Sequence, residues 1–330
     1  MSNLLITGGQ LRDNGFELGE GKYYGCAKLL RLDTNTGNVK EVLSDSVGSN
    51  NFPDSYPNLE FTVGDIEKDS LWLSMDTELR CYSYPGLQLL KTFSHPCFHN
   101  IHSVAVHRDK LYVTSTGIDT VVVLDKENGS IIEYINTEGK PIWHRFEEDF
   151  DYRKIHSTRP HDSHPNFIFW IDEEPWVTRC TQEDAVQLSN VNNRIDISGP
   201  DKEISVHDGI VYGGYVYFTS VDGFIVIADI KTKKVVESFD VTKLKGYGGL
   251  RGWCRGLYIN KNIFYIAFSR LRKTRRIEKI KWVSHLINKG KSIEHCSILA
   301  IDMDKRVIVA DYHISDQMID AIYTILPEPR

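Results

Sequence analysis

From residue 100 to 139, apolar and polar positions alternate in short runs broken by turn residues. The alternation predicts four strands over 103–107, 110–115, 120–125 and 130–135, with turns at Arg108-Asp109, Thr116-Gly117 and Glu127-Asn128-Gly129. The same pattern returns along the chain. Asp109-Lys110-Leu111-Tyr112-Val113 matches Asp69-Ser70-Leu71-Trp72-Leu73 at an offset of 40, Gly214-Tyr215-Val216-Tyr217-Phe218 at 105 and Asn262-Ile263-Phe264-Tyr265-Ile266 at 153. Pro175-Trp176-Val177 matches at 64. A four-stranded unit recurring at this spacing is a propeller blade. The expectation is an all-β, six-bladed β-propeller occupying residues 1–330 as one domain.

The first blade lacks a strand. Residues 3–8, 27–32 and 39–43 supply its second, third and fourth strands, while 318–326 supplies the first. Pairing the N- and C-terminal strands in one blade closes the ring and removes open sheet edges. Two insertions interrupt the repeat, at about 140–161 and 269–295, the second with an amphipathic helix expected over 277–287. Propeller geometry puts both, with the 44–60 loop, on the side where the innermost strands begin, as a rim around the channel.

The offsets also predict which residues face the axis. His102 opens an innermost strand, and the same phase falls on Thr62, Asn166, His207 and Arg255. His164 lies two residues before Asn166 and therefore on the same face of an extended strand. Three imidazoles and a guanidinium from different blades are expected at one mouth of the channel.

Composition changes this picture little. At 41% hydrophobic residues and with 11 prolines in 330, the chain can bury a large core. A net charge of −6 argues against general nucleic-acid binding. No apolar run is long enough to span a membrane, and Met1-Ser2-Asn3-Leu4-Leu5-Ile6 is not a secretory leader, so a cytoplasmic location is expected. The six cysteines form no Cys-x-x-Cys pair and are expected as reduced thiols, with Cys254 beside Arg255.

Histidine is the preferred neutral ligand of zinc and iron(II). His102, His164 and His207 are therefore the expected ligands of a divalent metal, with His161 as a substitute for the third. Arg255 and Arg251, in Leu250-Arg251-Gly252-Trp253-Cys254-Arg255-Gly256, suit a carboxylate or phosphate through paired hydrogen bonds. Asp208 is expected to assist from beside His207. The basic run Arg270, Arg272, Lys273, Arg275, Arg276, Lys279 and Lys281 would steer an anion or contact a protein partner.

The segments Pro160-His161-Asp162-Ser163-His164-Pro165-Asn166, Val206-His207-Asp208-Gly209 and Gly252-Trp253-Cys254-Arg255-Gly256 resemble those of a bacterial propeller family without a settled function. More remotely, a central three-histidine metal in six blades is similar to peptidyl-amidoglycolate lyases, and a central divalent metal to gluconolactonase-type hydrolases. The acidic ligand set expected of the lactonases is missing from this sequence.

Together these features lead to the expectation of a metal-dependent lyase, hydrolase or isomerase acting on a small anionic substrate: a sugar acid, a phosphorylated sugar or a carboxylate. The alternatives are an iron-dependent oxygenase, a non-catalytic scaffold for protein partners, and a metal-independent carbohydrate hydrolase using Asp65 and Asp208.

Overall fold

Alternating sequences of this kind bury one strand face against the next sheet, and twisted sheets stacked face to face close into a ring. The computed structural model describes residues 3–198, 205–249, 251–271, 295–315 and 317–329, with only the backbone of Phe16. It contains six four-stranded antiparallel sheets in a ring. Blade one joins Ala321–Pro327, innermost, to Asn3–Leu11, Tyr24–Asp33 and Val39–Asp45. Closure runs from Leu4 opposite Pro327 to Gly9 opposite Ala321.

The innermost strands of blades two to six are Asp65–Glu67, Ile101–His107, Pro165–Ile171, Val206–Tyr212 and Cys254–Asn260. Blade two departs from the expected repeat: its innermost strand is short, and Val63 instead joins blade three through backbone bonds to His102 and Val104. The expected helix over 277–287 and most of the basic run lie outside the described residues. Among the described residues, no helix is long and apolar enough to cross a membrane.

Apolar side chains fill the gaps between blades. Trp72 and Leu79 of blade two pack with Val104 and Leu111 of blade three, and Phe169 and Trp176 of blade four with Val216 and Phe218 of blade five. Near the axis, polar bonds tie each blade to the next. Phe61 N donates to Gly8 O, Thr62 Oγ1 to Ile101 O, Thr116 Oγ1 to Pro165 O, Thr178 Oγ1 to His207 O, Leu257 N to Asp208 Oδ2 and Ile322 N to Ser269 Oγ. The six junctions complete the circle.

One backbone device recurs where these strands enter the channel. Ile101 faces Ser115 and Val104 faces Val113, so His102 and Ser103 stand opposite Thr114 alone. Asn166 and Phe167 likewise oppose Thr178, His207 and Asp208 oppose Thr219, and Arg255 and Gly256 oppose Ala267. In blade one, Tyr323 is the extra residue. A bulge leaves a backbone N–H without a ladder partner and re-aims the side chain. Here threonine hydroxyls accept those N–H groups: Thr114 from His102 and Ser103, Thr178 from Phe167, and Thr219 from Asp208. Gly256 faces Ala267, which has no hydroxyl, and its N–H bonds the Asp208 carboxylate of blade five instead; its φ is 77°, and a Cβ there would lie 3.3 Å from Ala267.

Candidate functional site

The bulges carry His102, Asn166, His207, Arg255 and Tyr323 to the axis, and all five are buried. The His102 ring centroid lies 4.8 Å from that of His164, 6.1 Å from that of His207 and 6.5 Å from that of Tyr323. His164 arrives by a different route. The Asp119 carboxylate accepts the backbone N–H groups of Asp162, Ser163 and His164, which anchors the end of the 140–161 insertion against blade three. His164 itself adopts a positive φ of 52°.

Hydrogen-bond accounting assigns the imidazole protons. The Thr116 hydroxyl donates to Pro165 O at 2.5 Å, so toward His102 Nδ1, 3.0 Å away, it accepts. His102 therefore carries its proton on Nδ1, which also faces Asn100 O at 3.2 Å, and Nε2 holds a lone pair.

The same logic extends to the pair formed by His161 and His164. The Thr158 hydroxyl donates to Gly117 O, so it accepts from His161 Nε2. His161 Nδ1 is then the acceptor in its 2.6 Å contact with His164 Nδ1. His164 thus has Nδ1 protonated and Nε2 free as a lone pair. His161, weighed from sequence as a substitute ligand, orients His164 from behind.

His207 is held by its neighbour in sequence. Its Nδ1 lies 2.5 Å from Asp208 Oδ1, while Asp208 Oδ2 accepts the N–H of Leu257. With the shared proton on Nδ1, His207 Nε2 is an acceptor, and it is buried with no partner among the described residues.

The electrostatics keep the imidazoles neutral. Burial first, then the Arg255 guanidinium, holds His102 and His207 well below the usual histidine range. Burial and the adjacent His102 and His161 do the same to His164. Burial, reinforced by Arg159 and Arg145, lowers His161 to about 4, and burial raises Asp208 to about 7.

Arg255 has its guanidinium carbon 4.7 Å from the ring centroids of both Trp253 and Tyr323. Its Nε and Nη1 are buried without a partner among the described residues. Arg251 is engaged elsewhere: Nη2 lies 2.5 Å from Asp311 Oδ2 and Nη1 donates to Ser297 Oγ. The structure therefore brings His102, His164, His207, His161, Asp208 and Arg255 together and commits Arg251 to an ion pair in blade six.

Residues not anticipated from sequence complete the wall. The Tyr323 hydroxyl lies 2.6 Å from Glu60 Oε2, and Asn58 Nδ2 donates to Glu60 Oε1. Glu60 and Trp253 precede Thr62 and Arg255 by two positions, as His164 precedes Asn166. The same-face spacing that picks out His164 would have picked out both. Among the described residues, no three His, Cys, Asp or Glu side chains stand, as they are, in an arrangement that could hold a metal.

No protein-family model and no curated protein matches the chain. Among solved structures it is similar to a protein of unknown function from Bacteroides caccae, at a TM-score of 0.64 and 13% identity, covering 100% of both chains. That likeness supports the propeller fold and nothing finer. A computationally designed protein, Ika8, matches over 91% of this chain and 73% of its own at 11% identity, with a TM-score of 0.43.

Proposed function

We propose that the chain is an enzyme that holds a divalent metal, zinc or iron(II), on His102, His164 and His207. It acts on a small carboxylate- or phosphate-bearing substrate by lyase, hydrolase or isomerase chemistry. The observation that carries this reading is the shared tautomer of the three imidazoles. Each commits Nδ1 to an outer acceptor, respectively Asn100 and Thr116, His161, and Asp208, and turns Nε2 inward as a lone pair. Outer-shell bonds of this kind are what set the tautomer and basicity of metal-ligating histidines.

The two ring spacings from His102 fit within a small adjustment. Imidazoles bonded about 2.1 Å from one tetrahedral ion place their centroids about 5 Å apart. The 4.8 Å pair meets that, and the 6.1 Å pair requires His207 to close by about 1 Å. When bound, such a metal would polarise a carbonyl or lower the pKa of a bound water.

This chain's own residues do the rest. Arg255, close to the rings of Trp253 and Tyr323, offers unpartnered N–H groups to an anionic head, and charge-assisted bonds from a planar guanidinium are both strong and directional. Asp208 holds the His207 ring and keeps its proton on Nδ1. The Asp65 and Asp208 carboxylates each accept backbone N–H groups of the following blade, from Val106 and Leu257, so no observation favours them as a hydrolase pair.

Elemental analysis of protein purified without a histidine tag tests the reading. About one zinc or iron per chain is expected in the native protein, with loss in His102→Ala and His207→Ala and 10–100-fold weaker retention in Asp208→Asn. Full occupancy in His207→Ala, or no metal after reconstitution, overturns it.

A further inference from the structure

A second cleft, of about 570 Å³, opens between blades five and six. It lies at the far ends of the innermost strands of blades five and six, which begin beside His207 and Arg255. Tyr212 closes the innermost strand that Val206 opens, about 20 Å away at 3.3 Å per residue. The cleft therefore lies on the face opposite the candidate metal site.

A tight hairpin builds it. Gly213 and Gly214, at φ of 58° and 88°, turn the chain in two residues, so Tyr212 and Tyr215 stand directly across from each other. Cross-strand partners share a face, as do residues two apart. Tyr212, Tyr215 and Tyr217 thus form one aromatic row facing blade six. The inner end of the row is core: Tyr217 meets Phe264 edge-on at 4.9 Å. The outer end is not, since Tyr212 and Tyr215 remain 41% and 38% exposed. Blade-to-blade packing accounts for the inner rings and leaves the outer two unexplained.

The rim is polar and carries no net charge, with Glu237 and Asp304 against Lys261 and Arg306. Glu237 and Arg306 pair at 2.7 Å, and Asn262 bonds Asp304 at 3.2 Å. Arg306 Nη1 is buried with no partner among the described residues, and the guanidinium carbon lies 4.3 Å from the Phe239 ring centroid. A charge-balanced rim does not select an ion. Exposed ring faces beside paired donors and acceptors match a molecule with an apolar C–H face and a girdle of hydroxyls.

We propose that this cleft binds an uncharged saccharide, with one sugar ring lying on Tyr212 and Tyr215 and its hydroxyls bonded to Glu237, Arg306 and Asn262. The site is separate from the proposed metal centre and does not depend on it. Saturation-transfer NMR with cellobiose, maltose and N,N′-diacetylchitobiose as probes, on the full chain in EDTA, tests it. Transfer to the ring protons of at least one disaccharide is expected, with binding at least tenfold weaker in Tyr212→Ala and in Tyr215→Ala. Both side chains are substantially exposed, so circular-dichroism melts of the variants should match the native protein. Asn262→Ala provides a second variant outside the aromatic row and should also weaken binding. No transfer from any of the three sugars at millimolar concentration overturns the proposal. So does binding that survives the double tyrosine variant, or a concentration-dependent dimer that the tyrosine substitutions disperse.

Discussion

Arg255 illustrates what a single residue is asked to do. Its guanidinium is buried, two of its nitrogens lack partners among the described residues, and it depresses the pKa of three neighbouring histidines, His102, His164 and His207. Each unmet buried donor costs about 1–3 kcal/mol, and an apolar replacement of similar volume is often better tolerated than the charge. Arg255→Met should therefore raise the free energy of unfolding by roughly 1–3 kcal/mol while abolishing anion recognition. Thermal melts in phosphate or malonate check both parts: the anion should raise the native midpoint and leave that of Arg255→Met unmoved. A variant less stable than the native protein in plain buffer would assign Arg255 a structural role. Arg251, four residues away and equally conspicuous in sequence, reads differently because Asp311 and Ser297 already engage both of its terminal nitrogens.

Among the strands, the wide bulge is the unit that turns a repeat into a site. Regular pairing would alternate side chains between the two blade faces, whereas two residues against one re-aim the first of them at the axis. The device depends on a hydroxyl opposite, since Thr114 alone receives the N–H groups of both His102 and Ser103. Thr114→Val keeps the volume and removes that acceptor. It should cost about 1–3 kcal/mol in urea unfolding and weaken metal retention, while Thr114→Ser restores both. Unchanged stability in the valine variant would mean the bulge does not rely on the hydroxyl. Blade six carries Ala267 in this place, and the Asp208 carboxylate of blade five accepts the N–H groups of Gly256 and Leu257 instead, so the bulge has two chemical solutions in one chain.

For the molecule as a whole, burial of so many ionisable groups couples folding to pH. Seven described histidines, His95, His99, His102, His156, His161, His164 and His207, have lowered pKa values, chiefly through burial. Their unfolded forms bind protons near pH 6.5 and the folded forms only at lower pH, about 4 for His99 and His161. Stability from these groups is present above pH 6.5 and is lost as pH falls through that window. Buried Asp65 and Asp208, raised to about 6 and about 7, act in the opposite sense, as do Asp76 and Glu138. The histidines outnumber them. Metal-free protein should therefore melt at a lower temperature at pH 5.5 than at pH 7.5, and a higher midpoint at pH 5.5 would contradict this balance.

Much of this arrangement is legible in the chain because a propeller is a local repeat. Strand alternation and the 40-, 105- and 153-residue offsets are one-dimensional signals, and they carry the blade count, the closure through 318–326 and the axial phase of His102, His207 and Arg255. The tertiary structure decided what depends on closing the ring. Which imidazole nitrogen is free rests on Thr116 and Thr158, whose hydroxyl protons are claimed by carbonyls that the sequence alone does not bring near. Why Arg255 is open and Arg251 paired rests on where Asp311 falls, 60 positions further on. Periodicity registers which face a residue occupies, but proton placement and charge pairing are set by contacts between blades, and those exist only once the ring has closed.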